Sequence, residues 1–150
     1  MRAGLGHFPT TRMRRRRTAD WVRRIAAEHV LTPSDLILPM FVVEGTDAAE
    51  PVAAMPGVSR LSIDRAVLAA REAREHGIPA LALFPCEPDR VKTEDGREAT
   101  NPDNLVCRAA RTLRDAVPEL GLIGDVALDP YTSHGQDGIF KQGRILNDET

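Results

Sequence analysis

The sequence predicts an α/β fold built on a parallel sheet, and three observations predict it. Three apolar runs, residues 36–43, 80–84 and 122–128, lack polar alternation and read as strands buried on both faces. Two segments with helical spacing separate them, one after each of the first two runs. The order strand, helix, strand, helix, strand is that of right-handed crossover units.

The elements follow from local chemistry. Residues 1–19 carry six arginines (Arg2, Arg12 and Arg14 to Arg17) and no acid, with Gly4, Gly6 and Pro9 opposing regular structure, so an extended arm is expected. From Thr18 the spacing of Trp21, Val22, Ile25 and Ala26 predicts a short helix that ends near His29, before Thr32-Pro33. The first strand, LILPMFVV, comes next, and residues 45–60, with Pro51, Pro56 and Gly57, read as a loop. Ser62 is placed to cap a helix whose apolar positions are Ala66, Val67, Ala70 and Ala73, with Gly77 as its stop. Asn101-Pro102 is the expected start of the next helix, through Leu105, Val106, Ala109 and Leu113, which closes before Pro118.

Composition narrows the function classes. With 42% hydrophobic and 28% charged residues among 150, the chain has the make-up of a soluble globular domain. A net charge of −2 provides no overall attraction to nucleic acid or to an anionic membrane. No apolar run reaches bilayer-spanning length, and the first residues lack the apolar core of a secretory signal. Cys86 and Cys107 form no CxxC pair, which favours a reduced, cytoplasmic setting over a disulfide framework.

Two architectures compete at this point. A doubly wound sheet usually carries a glycine-rich first turn, yet the turn here reads EGTDAAEPVAAMPG, and a complete (β/α)8 barrel needs a longer chain. In both, ligands bind beyond the carboxyl ends of the strands. The stretch DVALDPYTSHGQDG, residues 125–138, begins at such an end and gathers Asp125, Asp129 and Asp137. Close carboxylates hold an ammonium group, bind a hard cation such as Mg²⁺, or move a proton when repulsion raises one pKa. Each aspartate also has a plain role: Asp129-Pro130 starts a turn, and Asp137-Gly138 is a hairpin signal. His134, between Ser133 and Gly135, is more often a loop member than a catalyst, and Tyr131 either borders the pocket or packs its ring.

Together, MPGVSR (55–60), VKTEDGREATNPDNLV (91–106), DVALDPYTSHGQDG and NDET (147–150) resemble the amino-terminal part of the porphobilinogen synthase (delta-aminolevulinic acid dehydratase) family. The resemblance runs from about Arg14 to Thr150. It implies the amino-terminal part of a (β/α)8 TIM barrel, residues 34–150 supplying three β/α units, preceded by an arm with a short helix, residues 1–33. It also implies a homo-octamer in which that arm wraps a neighbouring subunit. The implied reaction is a hydro-lyase condensation of two molecules of 5-aminolevulinate to porphobilinogen with loss of two waters, a step of tetrapyrrole and heme biosynthesis.

Where the zinc-dependent branch of the family has three cysteines, this chain has Ala127, Asp129 and Asp137. That donor set suits a hard cation or an ammonium rather than zinc. With Gln136 it resembles the aspartate-type, zinc-independent branch, in which Mg²⁺ is an allosteric activator held by residues outside this chain. The family's two Schiff-base lysines lie on later barrel strands, and neither Lys92 nor Lys141 falls in their motifs. The 150 residues are therefore expected to be part of a longer enzyme and inactive alone. Asp125, Asp129 and Asp137 are expected to recognise a substrate amino group and take part in proton transfer, with Ser133 and Tyr131 as supporting contacts. The alternative is a small α/β domain that binds Mg²⁺ or an anionic partner without catalysis.

Overall fold

A computed structural model describes residues 6–12 and 14–150, and the chain forms two compact units, residues 1–32 and 33–150. The first unit contains a 3-10 turn at Arg15–Arg17 and helix α1, Asp20–Ala26. Trp21, Ile25, Val30 and Leu31 are all exposed, at 67–79% of their surface.

In the second unit, β1 (Ile37–Val42), β2 (Ala49–Pro51), β3 (Ser59–Leu61), β4 (Ala80–Pro85) and β5 (Gly121–Gly124) form one sheet in the order β2-β3-β1-β4-β5. β1 pairs in parallel with β3 and β4, and β4 with β5; β2 alone runs antiparallel, against β3. Helix α2 (Ile63–Glu75) leads from β3 to β4, and α3 (Leu105–Ala116) from β4 to β5.

Helix packing decides between the two architectures. α2 buries Ala66, Ala70 and Ala73, and α3 buries Leu105, Ala109 and Leu113, each set repeating at three or four residues. Most of these side chains share one core with Met40, Leu81 and Leu83, which project from a single face of the sheet. Both crossover helices thus cover the same face, as in a barrel wall and unlike a doubly wound sheet. The buried face of α2 is all alanine, which lets its backbone approach the strands closely.

Burial on both faces, expected for the strands, is not what forms. β4 alternates half-buried and buried from Ala80 to Pro85, and Ile37 and Ile123 stay about half exposed. The apolar residues on the second face meet each other instead, with the Phe41 and Phe84 rings 5.8 Å apart. The third strand is also shorter than 122–128. Its ladder with β4 stops at Gly124, Val126 is fully exposed, and the backbone at Leu128 and Asp129 is held by a side chain rather than by a strand.

Helix ends follow their chemistry, with two corrections. Gly77, at φ +80°, closes α2 by donating to Arg74 O while Ile78 N donates to Ala73 O, a paired arrangement that needs the left-handed residue. Ser62 occupies the N-cap position of α2, but its hydroxyl serves the preceding loop, accepting from Ala48 N and donating to Asp64 Oδ1 at 2.5 Å. α3 is capped by Asn104, which accepts from Cys107 N at 2.9 Å. Asn101 instead makes its own turn by accepting from Asp103 N. The hairpin also sits later than Asp137-Gly138: β6 (Phe140–Lys141) and β7 (Arg144–Ile145) turn at Gln142 and Gly143, both with positive φ.

Candidate active site

Because β1, β3 and β4 run in parallel, their carboxyl ends converge, and a cleft of about 540 Å³ opens beyond them. Glu44 stands just past β1, Arg60 comes from β3, and Cys86 and Glu87 follow β4 directly. Lys92 enters from the loop after β4, and Asp129 from the loop after β5. The site therefore occupies the position where α/β sheets bind ligands.

Two loops hold each other in place around it. Thr93 N donates to Tyr131 O and Ser133 N donates to Thr93 O, a two-bond clasp between residues 93 and 131–133. Gly96 permits the near approach: its φ is +62°, and a Cβ there would meet Thr132 Cγ2 at 3.2 Å. Asp95, bonded by the Thr93 hydroxyl and next by the Arg97 guanidinium, is held down to about 2.

Asp137 Oδ1 accepts from Leu128 N at 2.5 Å and from Asp129 N at 3.2 Å, so its carboxylate fixes the turn that presents Asp129. Asp129 reaches the cleft, and its carboxyl is raised above the ordinary aspartate range. Burial is the first cause, followed by the negative charges of Asp137 and Asp125. The three aspartates thus share one electrostatic neighbourhood, though among the described residues Asp129 is the one of the three that borders the cleft.

The hydroxyl-bearing candidates lie elsewhere in the loop. Tyr131 is 3% exposed, and its phenol is pushed up to about 12 by burial first and then by nearby Glu87. Ser133 is exposed. His134 Nδ1 accepts from Gln136 N at 3.2 Å, which leaves its Nε2–H to donate to Glu94 O at 3.0 Å. That bonding makes it a loop brace, with its ring 5.4 Å from Phe140.

Glu87, Arg60 and Lys92 escaped the reading of the sequence as site residues. The signal for Glu87 was present: it follows a buried strand immediately, in FPCEP, as Asp125 follows the third. Glu87 is 8% exposed, and its Oε1 has no hydrogen-bond partner among the described residues. Lys92 is tied to Asp89 at 2.9 Å. Glu44 is paired with Arg108 of α3, which anchors the end of β1 to that helix.

The metal test turns on the donors at 127, 129 and 137. Ala127 offers none, and one Asp137 oxygen is committed to two backbone N–H groups. Among the described residues no group of three or more His, Cys, Asp or Glu side chains is arranged to hold a metal ion. The donor chemistry at these positions is that of a hard cation or an ammonium rather than of zinc.

A sheet covered on one face by its crossover helices, with a cleft of mixed charge at the strands' carboxyl ends, belongs to the barrel-type α/β class. Residues 10–150 match the family described as delta-aminolevulinic acid dehydratase, and the chain belongs to that family. It is 52% identical over 139 residues to the delta-aminolevulinic acid dehydratase of Bradyrhizobium diazoefficiens, covering 93% of this chain and 39% of that protein. The dehydratase of Chlamydia pneumoniae is 42% identical, over 93% of this chain and 42% of its own length. A crystal structure of the Toxoplasma gondii enzyme in complex with its reaction product porphobilinogen superposes with a TM-score of 0.84 at 42% identity. That match covers 93% of this chain and 40% of the other. The chain thus spans about two fifths of the length of these relatives.

Proposed function

We propose that this chain supplies the first strand ends of a porphobilinogen synthase site, a hydro-lyase that condenses two 5-aminolevulinates with loss of two waters. The observation that carries the reading is Asp129: a carboxylate presented to a strand-end cleft and raised by burial first and then by the charges of Asp137 and Asp125. An arriving ammonium relieves that repulsion, so substrate binding and the ionised form of Asp129 favour each other. A carboxyl raised in this way is also better matched to accept and return a proton near neutral pH than an isolated one.

The carbonyl chemistry belongs to Schiff-base lysines on other strands of the barrel. Lys92 is engaged by Asp89, and Lys141 is exposed in the terminal hairpin. The aspartates at 129 and 137 favour the zinc-independent branch, with Mg²⁺ acting away from this cleft as an activator. Self-association through the arm, toward the homo-octamer, has its support in the exposed Trp21, Ile25, Val30 and Leu31 beside arginines, an apolar set that a neighbouring subunit would cover.

The test uses the gene product expressed from its natural start to its natural stop. Porphobilinogen is measured after incubation with 5-aminolevulinate, with and without a zinc-selective chelator and added Mg²⁺. Product formed at an unchanged rate under zinc chelation, and stimulated by Mg²⁺, is the expected result. Absence of product, or loss of turnover restored by zinc alone, contradicts the reading.

A further inference from the structure

His134 is half-buried within the loop that carries two of the three aspartates, Asp129 and Asp137. Its ring nitrogens meet opposite demands. Gln136 N is a donor, so Nδ1, 3.2 Å away, must be the bare nitrogen; Glu94 O is an acceptor, so Nε2, at 3.0 Å, must carry the proton. One neutral tautomer satisfies both contacts, and neither the other tautomer nor the imidazolium does. An imidazole reaches both because its nitrogens point away from each other on one rigid ring, which also lies against Phe140 of β6.

These contacts converge on the residue before Asp137. Gln136 is gripped at both backbone groups, its N–H by His134 Nδ1 and its O by the Thr132 hydroxyl at 2.9 Å. Asp137 follows directly, and its Oδ1 accepts from Leu128 N and Asp129 N, which closes the loop on itself. On the other side, the bond to Glu94 O adds a third rung beside the two that join Thr93 to Tyr131 and Ser133. The imidazole thus ties the far end of the aspartate loop to residues 93–94.

We infer that His134 is a positioning residue for Asp129, acting through Gln136 and Asp137 and touching no substrate itself. The inference deepens the synthase reading and rests on it for the reaction in which Asp129 works.

The test uses the complete gene product. His134→Ala removes both contacts and is expected to lower kcat/KM for porphobilinogen formation about tenfold, the worth of one hydrogen bond. His134→Asn, whose Oδ1 still accepts from Gln136 N, is expected to stay within about threefold of wild type. In an Asp129→Ala background, His134→Ala is expected to cost less than about twofold, because the group it positions is gone. A residue that served stability alone would cost the same in both backgrounds. Hydrogen exchange over residues 126–132, read by mass spectrometry, needs no turnover: the Leu128 and Asp129 amides are expected to exchange at least about fivefold faster in His134→Ala. Equal losses in the two backgrounds, a His134→Asn variant as impaired as His134→Ala, or unchanged exchange in this segment overturns the inference. Product formation with unchanged exchange sinks the inference alone, and faster exchange in a protein whose wild type forms no porphobilinogen sinks the synthase reading alone.

Discussion

Replacing Asp137 by alanine removes the acceptor that two consecutive backbone donors share. In the folded protein Asp137 Oδ1 accepts from Leu128 N at 2.5 Å and from Asp129 N at 3.2 Å, and the Asp129 N–H also serves its own carboxyl. A hydrogen bond to a charged group contributes about 1.5–3 kcal/mol where it is sheltered. Leu128 is half-buried, but Asp129 and Asp137 are exposed and the second bond is long, so water recovers part of the loss. The net cost is then about 1–3 kcal/mol. With a urea slope of about 1–3 kcal/mol per molar, the unfolding midpoint falls by about 1 M. Asp137→Asn keeps an acceptor at Oδ1 and loses only the charge assistance, so its shift is less than half as large. Both variants also bring the Asp129 carboxyl down toward the ordinary range, because the Asp137 charge is its largest electrostatic perturbation. Urea unfolding followed by circular dichroism measures the first effect, and an NMR titration of Asp129 the second. A midpoint for Asp137→Ala within about 0.2 M of wild type would show that the turn does not depend on this carboxylate.

Other outcomes follow from the same structure. Leu81→Ala, at a fully buried position between the sheet and both helices, is expected to cost about 2–5 kcal/mol in a denaturant series, and a loss under about 1 kcal/mol would mean that the core is not packed as described. Asn104→Ala removes the side-chain cap of α3 and is expected to cost about 1 kcal/mol, with Asn104→Ser recovering most of it. Glu87 has a raised folded value, so whatever stability its protonation contributes is complete below its unfolded value near 4.5 and is lost as pH rises through the folded value. Glu87→Gln is therefore expected to gain on wild type as pH rises above about 4.5 when unfolding midpoints are compared, and a constant difference would remove the buried-carboxyl account. Asp95 behaves oppositely: its folded value, about 2, is depressed, so its contribution is present above 3.8 and disappears as pH falls toward 2, which Asp95→Asn should abolish.

Much of the fold was legible because strands and helices announce themselves by period. Leu81 and Leu83, Ala66, Ala70 and Ala73, and Gly77 all stand where spacing and backbone chemistry put them. Spacing could not say that both helices share one face, since that depends on crossover direction and pairing partners; Ile37 and Ile123 show the consequence in their exposure. The end of β5 was hidden for a related reason. Residues 126–128 are apolar, but a strand extends only as far as its ladder, and a carboxylate nine residues downstream takes over at Leu128. Asp129 stands out in the sequence because it lies in a cluster of like charges, whereas Glu87 stands alone there and acquires its neighbours, Glu44 just past β1 and Glu98 before α3, only on folding.

The most direct test of the central claim is the rate of porphobilinogen formation by Asp129→Ala, set against wild type, in the complete gene product with fold verified by circular dichroism. A carboxylate that both receives the substrate ammonium and exchanges its proton predicts a fall of about 100-fold or more in kcat/KM. Turnover and substrate affinity equal to wild type would contradict the assignment of this cleft to the aminolevulinate amino group.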